Sequence, residues 1–252
     1  MRQRHPKALP NDLYAPALVL LLWEGLSRYG VLNAHFYPPP SAILLDIAHL
    51  FRHGSILADI LISLGRIVAG LLVGGLPALI LGALMARSRF FYHLLHPLVA
   101  LAYPLPKIAL LPYVILAFGI GESAKVFIVS IGVFFLVLLN TYHGVSQIPE
   151  TYFEVAAIYR CRRLDCWRYV ILPGAMPAIL NGAKLATGVS FILLMAAEFL
   201  GGRSGIGSRI WMSWETFQIT HMLSGLVLLS LLGWGANAFW ELIERLAMPW
   251  KA

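Results

Sequence analysis

Six segments of this chain are apolar over lengths that suit a crossing of a lipid bilayer. A helix that spans the hydrocarbon core needs roughly 20 mostly apolar residues. Hydrophobic residues make up 59% of the sequence and charged residues only 12%, which excludes an ordinary water-soluble domain. The sequence therefore predicts an all-α polytopic membrane protein of about six transmembrane helices, at about 13–32, 67–86, 90–118, 123–144, 177–200 and 222–243.

The basic residues between these segments predict the orientation. With the N-terminus inside, the net charge of +7 is carried mainly by cytoplasmic segments, as the positive-inside rule expects, and not by a nucleic-acid-binding patch. The basic start of the chain also resembles a secretory signal, but no clear cleavage site follows, so we expect a retained anchor. We predict a cytoplasmic tail at 1–12, a single transmembrane domain at 13–252 and both termini in the cytoplasm. The cytoplasmic basic residues are Arg2, Arg4, Lys7, Arg87, Arg89, Arg160, Arg162, Arg163, Arg168, Arg245 and Lys251, and the outer ones are Arg52, Arg203 and Arg209.

The third segment, 90–118, is too long for one straight crossing and contains prolines near its middle. Pro104 and Pro106 lack backbone donors, so the helix should break there against protein or a watery cavity. Lys107 follows the break, and an ammonium at that depth needs a cavity or a partner. Two readings stay open: Lys107 lines a permeation path, or it pairs with a carboxylate such as Glu198. The candidate translocation path comprises Pro104, Pro106, Lys107, Ser190 and Glu198.

Small residues recur at every fourth position in the second and fifth segments, which predicts close helix packing inside the membrane. These stripes are Gly70, Gly74, Ala78, Gly82 and Ala86, and Gly182, Ala186 and Ser190.

The cytoplasmic loop at about 146–173 carries a short helix of its own. Pro149 suits the first helical position, and Glu150 suits the positive end of a helix. The helix is half apolar and is followed by a basic turn, while Pro173 and Pro177 bound the start of the fifth segment. An apolar helix exposed to the cytoplasm indicates either a protein partner or an ordinary surface loop.

The outer loops contain two further elements. After Pro38–Pro40, an amphipathic helix capped by Ser41 should lie in the membrane interface or pack on other spans. The glycines after the fifth segment permit sharp turns, and a short helix at roughly 208–218 should follow, carrying Trp211 and Trp214 on one face. This loop either receives a partner at the pore mouth or simply connects to the sixth segment. Its glycines are Gly201, Gly202, Gly205 and Gly207.

No residue cluster predicts a catalytic, cofactor-binding or metal site. Cys161 and Cys166 are expected to be free thiols, since two cysteines form no disulfide framework. His93 and His96 are the best candidates for an intramembrane enzyme, but they have no evident partner. No Gly-x-x-x-x-Gly-Lys-Ser/Thr phosphate loop occurs, so any ATP must be bound elsewhere. A secondary carrier would usually show internal repeats, and none is evident.

Several motifs resemble the permeases of ABC importers. The run from Glu154 to Leu172-Pro173 is similar to the EAA loop of that family, with Val155 for the first Ala, Val170 for the Ile and Arg160 for the Gly. A non-glycine residue in a left-handed turn costs roughly 1–2 kcal/mol, so Arg160 leaves open whether the family's turn is kept. Five further stretches resemble the nitrate/sulfonate/taurine branch of these permeases: Tyr103–Pro112, Phe118–Glu122, Leu172–Gly182, Ala197-Glu198 and Gly205–Gly207.

The resemblance implies a type I ABC-importer permease in a bacterial inner membrane. It implies a homodimer embedded in lipid, two cytoplasmic ATPase subunits that bind ATP and Mg, and an extracytoplasmic binding protein. The implied ATPase-coupling residues are Glu150, Glu154, Ala156, Ala157, Arg160, Leu172 and Pro173. The implied cargo is a small solute, such as nitrate, a sulfonate, taurine or bicarbonate, while relatives of the branch carry vitamin precursors. The alternatives are a secondary carrier and an intramembrane enzyme.

Overall fold

The computed structural model of the protein describes residues 14–52 and 54–249, and these residues form helices joined by short turns. The predicted tail at 1–12 lies outside the described residues. The helices are α1 (Tyr14–Arg28), α2 (Pro40–Arg52), α3 (Ser55–Arg87), α4 (Arg89–Ala102), α5 (Leu111–Phe118), α6 (Glu122–Ser146), α7 (Glu150–Ile158), α8 (Arg163–Cys166), α9 (Leu172–Gly201), α10 (Ile206–Glu215) and α11 (Ile219–Ala247).

Four helical runs within the described residues are long and apolar enough to cross a membrane: Ile56–Arg87, Glu122–Ser146, Leu164–Gly201 and Ile219–Ala247. A fifth span arises if α4 and the helices that follow it, which bend by 88°, count as one broken span. The first predicted segment forms only the 15-residue α1, shorter than a bilayer requires. The polytopic helical fold is thus confirmed with four or five spans, and a crossing by the first segment stays a prediction.

The residues group into two compact units, which we describe separately. One comprises the described residues up to Ala58 together with Arg209–Leu229, and the other comprises Asp59–Ser208 together with the described residues from Ser230. The prediction of a single domain at 13–252 stays a prediction.

In the first unit, Glu24 of α1 pairs with Arg28 and also holds the start of α2. Arg28 Nε donates to Glu24 Oε1 at 2.5 Å, and Glu24 Oε2 accepts the backbone N–H of Ser41 at 3.0 Å. Ser41 lies inside α2, so the prediction that it caps this helix was wrong; the carboxylate of Glu24 fills that role. α2 packs on α11, since His221 Nδ1 lies 2.8 Å from Asp46 Oδ1. This contact favours the packed form of the amphipathic helix.

In the second unit, both predicted stripes of small residues pack closely. A Cβ added at Gly82 on α3 would lie 2.6 Å from the backbone oxygen of Leu138 on α6. A Cβ added at Gly182 on α9 would lie 2.6 Å from the Cβ of Asn140 on α6. Since real Cβ atoms do not approach so closely, these backbones can pack at this distance only because glycine occupies both positions. α3, α6 and α9 therefore form the core of this unit.

Two spans begin earlier than predicted. α3 begins at Ser55 instead of about 67, because Asp59 and Arg66 lower the local hydropathy although both are hydrogen-bonded inside the protein. The fifth span runs back to Leu164 through a π-helical turn, Trp167–Ile171. Pro173 has no N–H for the carbonyl four residues earlier, and the wider π turn before it accommodates that loss within a continuous helix. Pro173 and Pro177 therefore lie within the span and do not bound it.

Candidate coupling and translocation sites

The predicted loop helix exists as α7 and begins one residue later than the sequence indicated. Pro149 is its N-cap, with extended ψ of 137°, and Glu150 is its first residue. A carboxylate at this end interacts favourably with the positive end of the helix dipole. The loop then returns through α8 and the π turn to Leu172 and Pro173, which open α9.

The C-terminus of α7 keeps the turn that a glycine would favour, although Arg160 occupies it. Arg160 has φ +50°, in the left-handed region. The N–H of Cys161 donates to the oxygen of Ala156 at 2.9 Å, and the N–H of Arg160 donates to the oxygen of Ala157 at 3.0 Å. These two bonds form a Schellman motif, which satisfies helix carbonyls that otherwise lack partners. The structure thus resolves the question left by the sequence: the turn is retained under strain.

One face of α7 is anchored on the rest of the unit. Phe153 packs against a cluster of Ala83, Val145, Ile171 and Ala175, and the Arg87 guanidinium lies 4.2 Å from the centre of the Phe153 ring. Ala156 is only 8% exposed. Of the implied coupling residues on this helix, Ala156 therefore packs against its own protein, whereas Glu154 and Ala157 are exposed.

The opposite face of the loop is an exposed apolar surface. Ile158 and Tyr159 are each 78% exposed, at the C-terminal end of α7. Four further apolar side chains of the loop are also exposed, namely Tyr152, Val155, Leu164 and Tyr169. A surface of this kind on a polypeptide connection is typical of a protein contact.

The predicted break in the third segment is present. α4 ends at Ala102, Pro104 and Pro106 fall in the connection, and a 3-10 turn starts at Lys107. The ammonium of Lys107 donates to the backbone oxygen of Tyr103 and lies 4.9 Å and 5.1 Å from the ring centres of Tyr103 and Phe135. A freed carbonyl and two aromatic faces thus stabilise the cation.

A cavity of about 440 Å³ lies beside Lys107. Among the described residues that line it, Lys107 carries the only formal charge and Ser130 the only side-chain hydroxyl; the others are Val73, Gly74, Ala102, Leu105, Leu110, Phe127, Ile131, Phe134 and Phe135. Attraction between the ammonium and an anion is stronger in such surroundings than in water.

Glu198 does not pair with Lys107, so that alternative was wrong. It is fully buried, and its Oε1 accepts from Arg66 Nη1 at 2.6 Å and from Ser63 Oγ at 2.8 Å. Its Oε2 accepts the backbone N–H of Gly207 at 2.7 Å. Ser190 is also buried, and its hydroxyl donates to the oxygen of Ala186 within the helix at 2.7 Å. Both residues therefore lie inside the protein core.

Arg66 is the residue that the sequence analysis missed. Its guanidinium bonds to Glu122 through Nε at 2.6 Å and Nη2 at 2.5 Å, and to the backbone oxygen of Ser204 through Nη1 at 2.8 Å. A signal was available: Asp59, Ser63 and Arg66 recur at spacings of four and three, which places a polar stripe on one face of an apolar helix.

The glycines after α9 serve close packing around Glu198. Gly205 has φ +106°, and a Cβ there would lie 2.6 Å from the carboxyl carbon of Glu198. At Gly207 a Cβ would lie 2.9 Å from the Cβ of Glu198, and at Gly202 it would lie 2.5 Å from the backbone oxygen of Glu198. Gly201 ends α9 against Ile120. We name this segment, residues 201–207, the clasped loop.

The remaining predictions concern single residues. Trp211 and Trp214 lie in α10 with ring centres 4.8 Å apart, which confirms the predicted shared face. Cys161 and Cys166 are free thiols. His96 stacks on Tyr92, with ring centres 4.7 Å apart. No group of His, Cys, Asp or Glu in the described part of the chain could hold a metal ion.

Comparisons with known proteins agree with this architecture. Residues 78–248 match the family described as "Binding-protein-dependent transport system inner membrane component". The aliphatic sulfonates transport permease protein SsuC of Escherichia coli (strain K12) is 33% identical over 238 residues, which are 94% of this chain and 90% of that protein. Its namesake in Bacillus subtilis (strain 168) is 30% identical over 241 residues, 96% of this chain and 87% of that protein.

A similar fold occurs in the MetNI methionine ABC transporter in an inward-facing conformation. The TM-score is 0.61 at 20% sequence identity, over 77% of this chain and 94% of the transporter chain. The family match covers more than half of the sequence, and its members are transport subunits and not enzymes. This chain therefore belongs to the inner-membrane components of binding-protein-dependent transport systems, as a permease subunit of an ABC importer.

Proposed function

We propose that this permease imports a small anion, such as an organic sulfonate, taurine, nitrate or bicarbonate. The observation that carries this proposal is Lys107, the one formal charge among the described residues around a cavity of about 440 Å³ at a broken span. The relatives named for aliphatic sulfonates support an anionic cargo. A vitamin precursor is the competing cargo.

The experiment is anion uptake by the complete transporter in vesicles. We expect Lys107→Ala to lower uptake of the anion while assembly persists, and Lys107→Arg to retain most of it, because it keeps the positive charge. Ser130→Ala, at the same cavity, is the matched control for a change that removes no charge. Equal uptake by Lys107→Ala and the unchanged transporter would remove the proposed role of Lys107.

We also propose that α7 couples the permease to a cytoplasmic ATPase that binds ATP and Mg. The exposed face with Ala157, Ile158 and Tyr159 supports this role, since a small residue between large apolar ones lets a helix approach a groove closely. Ala157→Glu should separate ATP hydrolysis from uptake while the protein still inserts. Ala157→Gln, which adds a side chain of nearly the same size without a charge, is the control that separates the effect of bulk from the effect of charge.

The assembly we propose is a homodimer in the lipid bilayer with two ATPase subunits and an extracytoplasmic binding protein. Both termini then face the cytoplasm, and ATP-driven closure of the ATPase pair moves α7 and alternates access to the path. The clasped loop and α10 receive the binding protein. Arg203 is the exposed position of the clasped loop, so Arg203→Cys is suited to labelling by an impermeant thiol reagent. Loaded binding protein should slow that labelling, and an absence of labelling from outside would contradict the orientation.

A further inference from the structure

The carboxylate of Glu122 lies between two buried cations at the start of α6. Arg66 holds both of its oxygens, at 2.5 Å and 2.6 Å, and the ammonium of Lys125 lies 3.5 Å from Oε1. Arg66 and Lys125 are 3% and 5% exposed, whereas the side chain of Glu122 is 63% exposed. The two cations are therefore fixed inside the protein, and the carboxylate of Glu122 is the charged group of the three that reaches the protein surface.

The charges of this cluster balance only while that anion is present. Arg66 and Lys125 contribute two positive charges, and Glu122 and Glu198 contribute two negative ones. Glu198 is fully buried and held by Ser63 and Gly207 as well, so it remains in place. Without Glu122, two buried cations would share one buried carboxylate. Because an uncompensated buried charge is strongly unfavourable, the position requires an anion.

The geometry at this position is selective for planar or tetrahedral oxyanions. Nε and Nη2 of Arg66 present two parallel N–H groups, the arrangement that carboxylates and other oxyanions bind through two oxygens at once. The side of the guanidinium bearing Nη1 is already occupied by Glu198 and the backbone oxygen of Ser204. Only the edge facing Glu122 is thus open to exchange, and Lys125 adds a second charge there.

We propose that Arg66 and Lys125 form an oxyanion-binding site that Glu122 fills in this conformation, and that an anionic cargo occupies it when the Glu122 side chain turns away. The exposed side chain of Glu122 marks the route by which an anion enters. This inference rests on the proposed import of an anion. It adds a second anion-binding site, formed by residues other than those around the Lys107 cavity.

Calorimetric titration of the purified permease–ATPase complex in lipid nanodiscs tests this proposal, with sodium methanesulfonate as the probe. Glu122→Ala vacates the site, so methanesulfonate should bind this variant at least about tenfold more tightly than the unchanged protein. Sodium chloride at equal ionic strength should bind both forms more weakly, because one chloride must accept both N–H groups through bent hydrogen bonds, whereas two oxygens accept one nearly linear bond each. Glu122→Ser, whose side chain is also too short to fill the position, provides the same comparison if Glu122→Ala fails to assemble.

The double variant Glu122→Ala with Lys125→Met decides whether the two cations make the site. It should lose the gained affinity, since one of the two charges is replaced by an apolar side chain of similar length. Equal methanesulfonate affinity in the unchanged protein, Glu122→Ala and the double variant would overturn the proposal. If that occurs while the unchanged transporter still takes up the anion in vesicles, anion import stands and only this site is removed; if the unchanged transporter takes up no anion, anion import itself fails.

Discussion

Replacement of Arg160 by glycine should stabilise the turn at the C-terminal end of α7. Arg160 has φ +50°, a conformation that strains a side-chain-bearing residue by about 1–2 kcal/mol and glycine hardly at all. Against this gain, glycine destabilises the folded turn by about 0.4–1 kcal/mol, because the unfolded segment has more conformational freedom to lose. The difference leaves a net stabilisation of about 0.8 kcal/mol for the folded end of α7, or about a fourfold shift in the local opening equilibrium.

Hydrogen exchange measures this opening directly. The amides of Arg160 and Cys161 close the Schellman motif, so their exchange should slow about fourfold in Arg160→Gly. Arg160→Ala is the control, because it removes the charge and retains the Cβ that causes the strain. Faster exchange in Arg160→Gly than in Arg160→Ala would refute the reasoning and assign the stability of this turn to the arginine side chain.

Three further predictions concern stability and assembly. Gly205→Ala should lower the unfolding midpoint in mild detergent, because its Cβ would meet the carboxyl group of Glu198 at a positive φ, whereas Gly188→Ala has open space and should be neutral. Glu198→Gln should lower the free energy of unfolding in denaturant by about 3–5 kcal/mol, since it leaves Arg66 buried with one carboxylate fewer. Adding Arg66→Met to the same chain should recover part of that loss. Ala156→Glu should detach the loop and raise its proteolysis, because this residue packs inward; equal cleavage of the variant and the unchanged protein would contradict the packing.

The sequence predicted features that depend on local pattern. Long apolar runs predicted the helices, the prolines at 104 and 106 predicted the broken span, and the spacing of Gly70, Gly74 and Gly82 predicted a close helix contact. Each of these follows from backbone chemistry within one segment. They could therefore be predicted without knowing which distant segment each helix packs against, and the structure confirms them.

Features that depend on pairing between distant segments could not be predicted from one segment. Arg66, Glu122 and Glu198 come from three helices, and the sequence offered Glu198 only as one possible partner of Lys107. Arg66 and Asp59 also concealed the true start of α3, since hydropathy treats a paired charged residue as though it were unpaired. The inward position of Ala156 was missed for a related reason: a short amphipathic helix shows two faces but not which one its own protein covers.

The packing of α6 has a mechanical consequence. Its 25 residues extend roughly 37 Å at 1.5 Å per residue, with Glu122 at one end and Val145, which packs with Phe153 of α7, near the other. The glycine contacts at Gly82 and Gly182 leave no slack between this helix and its neighbours α3 and α9. The three helices should consequently move together as one rigid body, so that a displacement of the end near α7 also displaces the end that bears Glu122. Bending should then occur outside these three helices, and the 88° bend beside Lys107 is a place where the helical backbone is already interrupted.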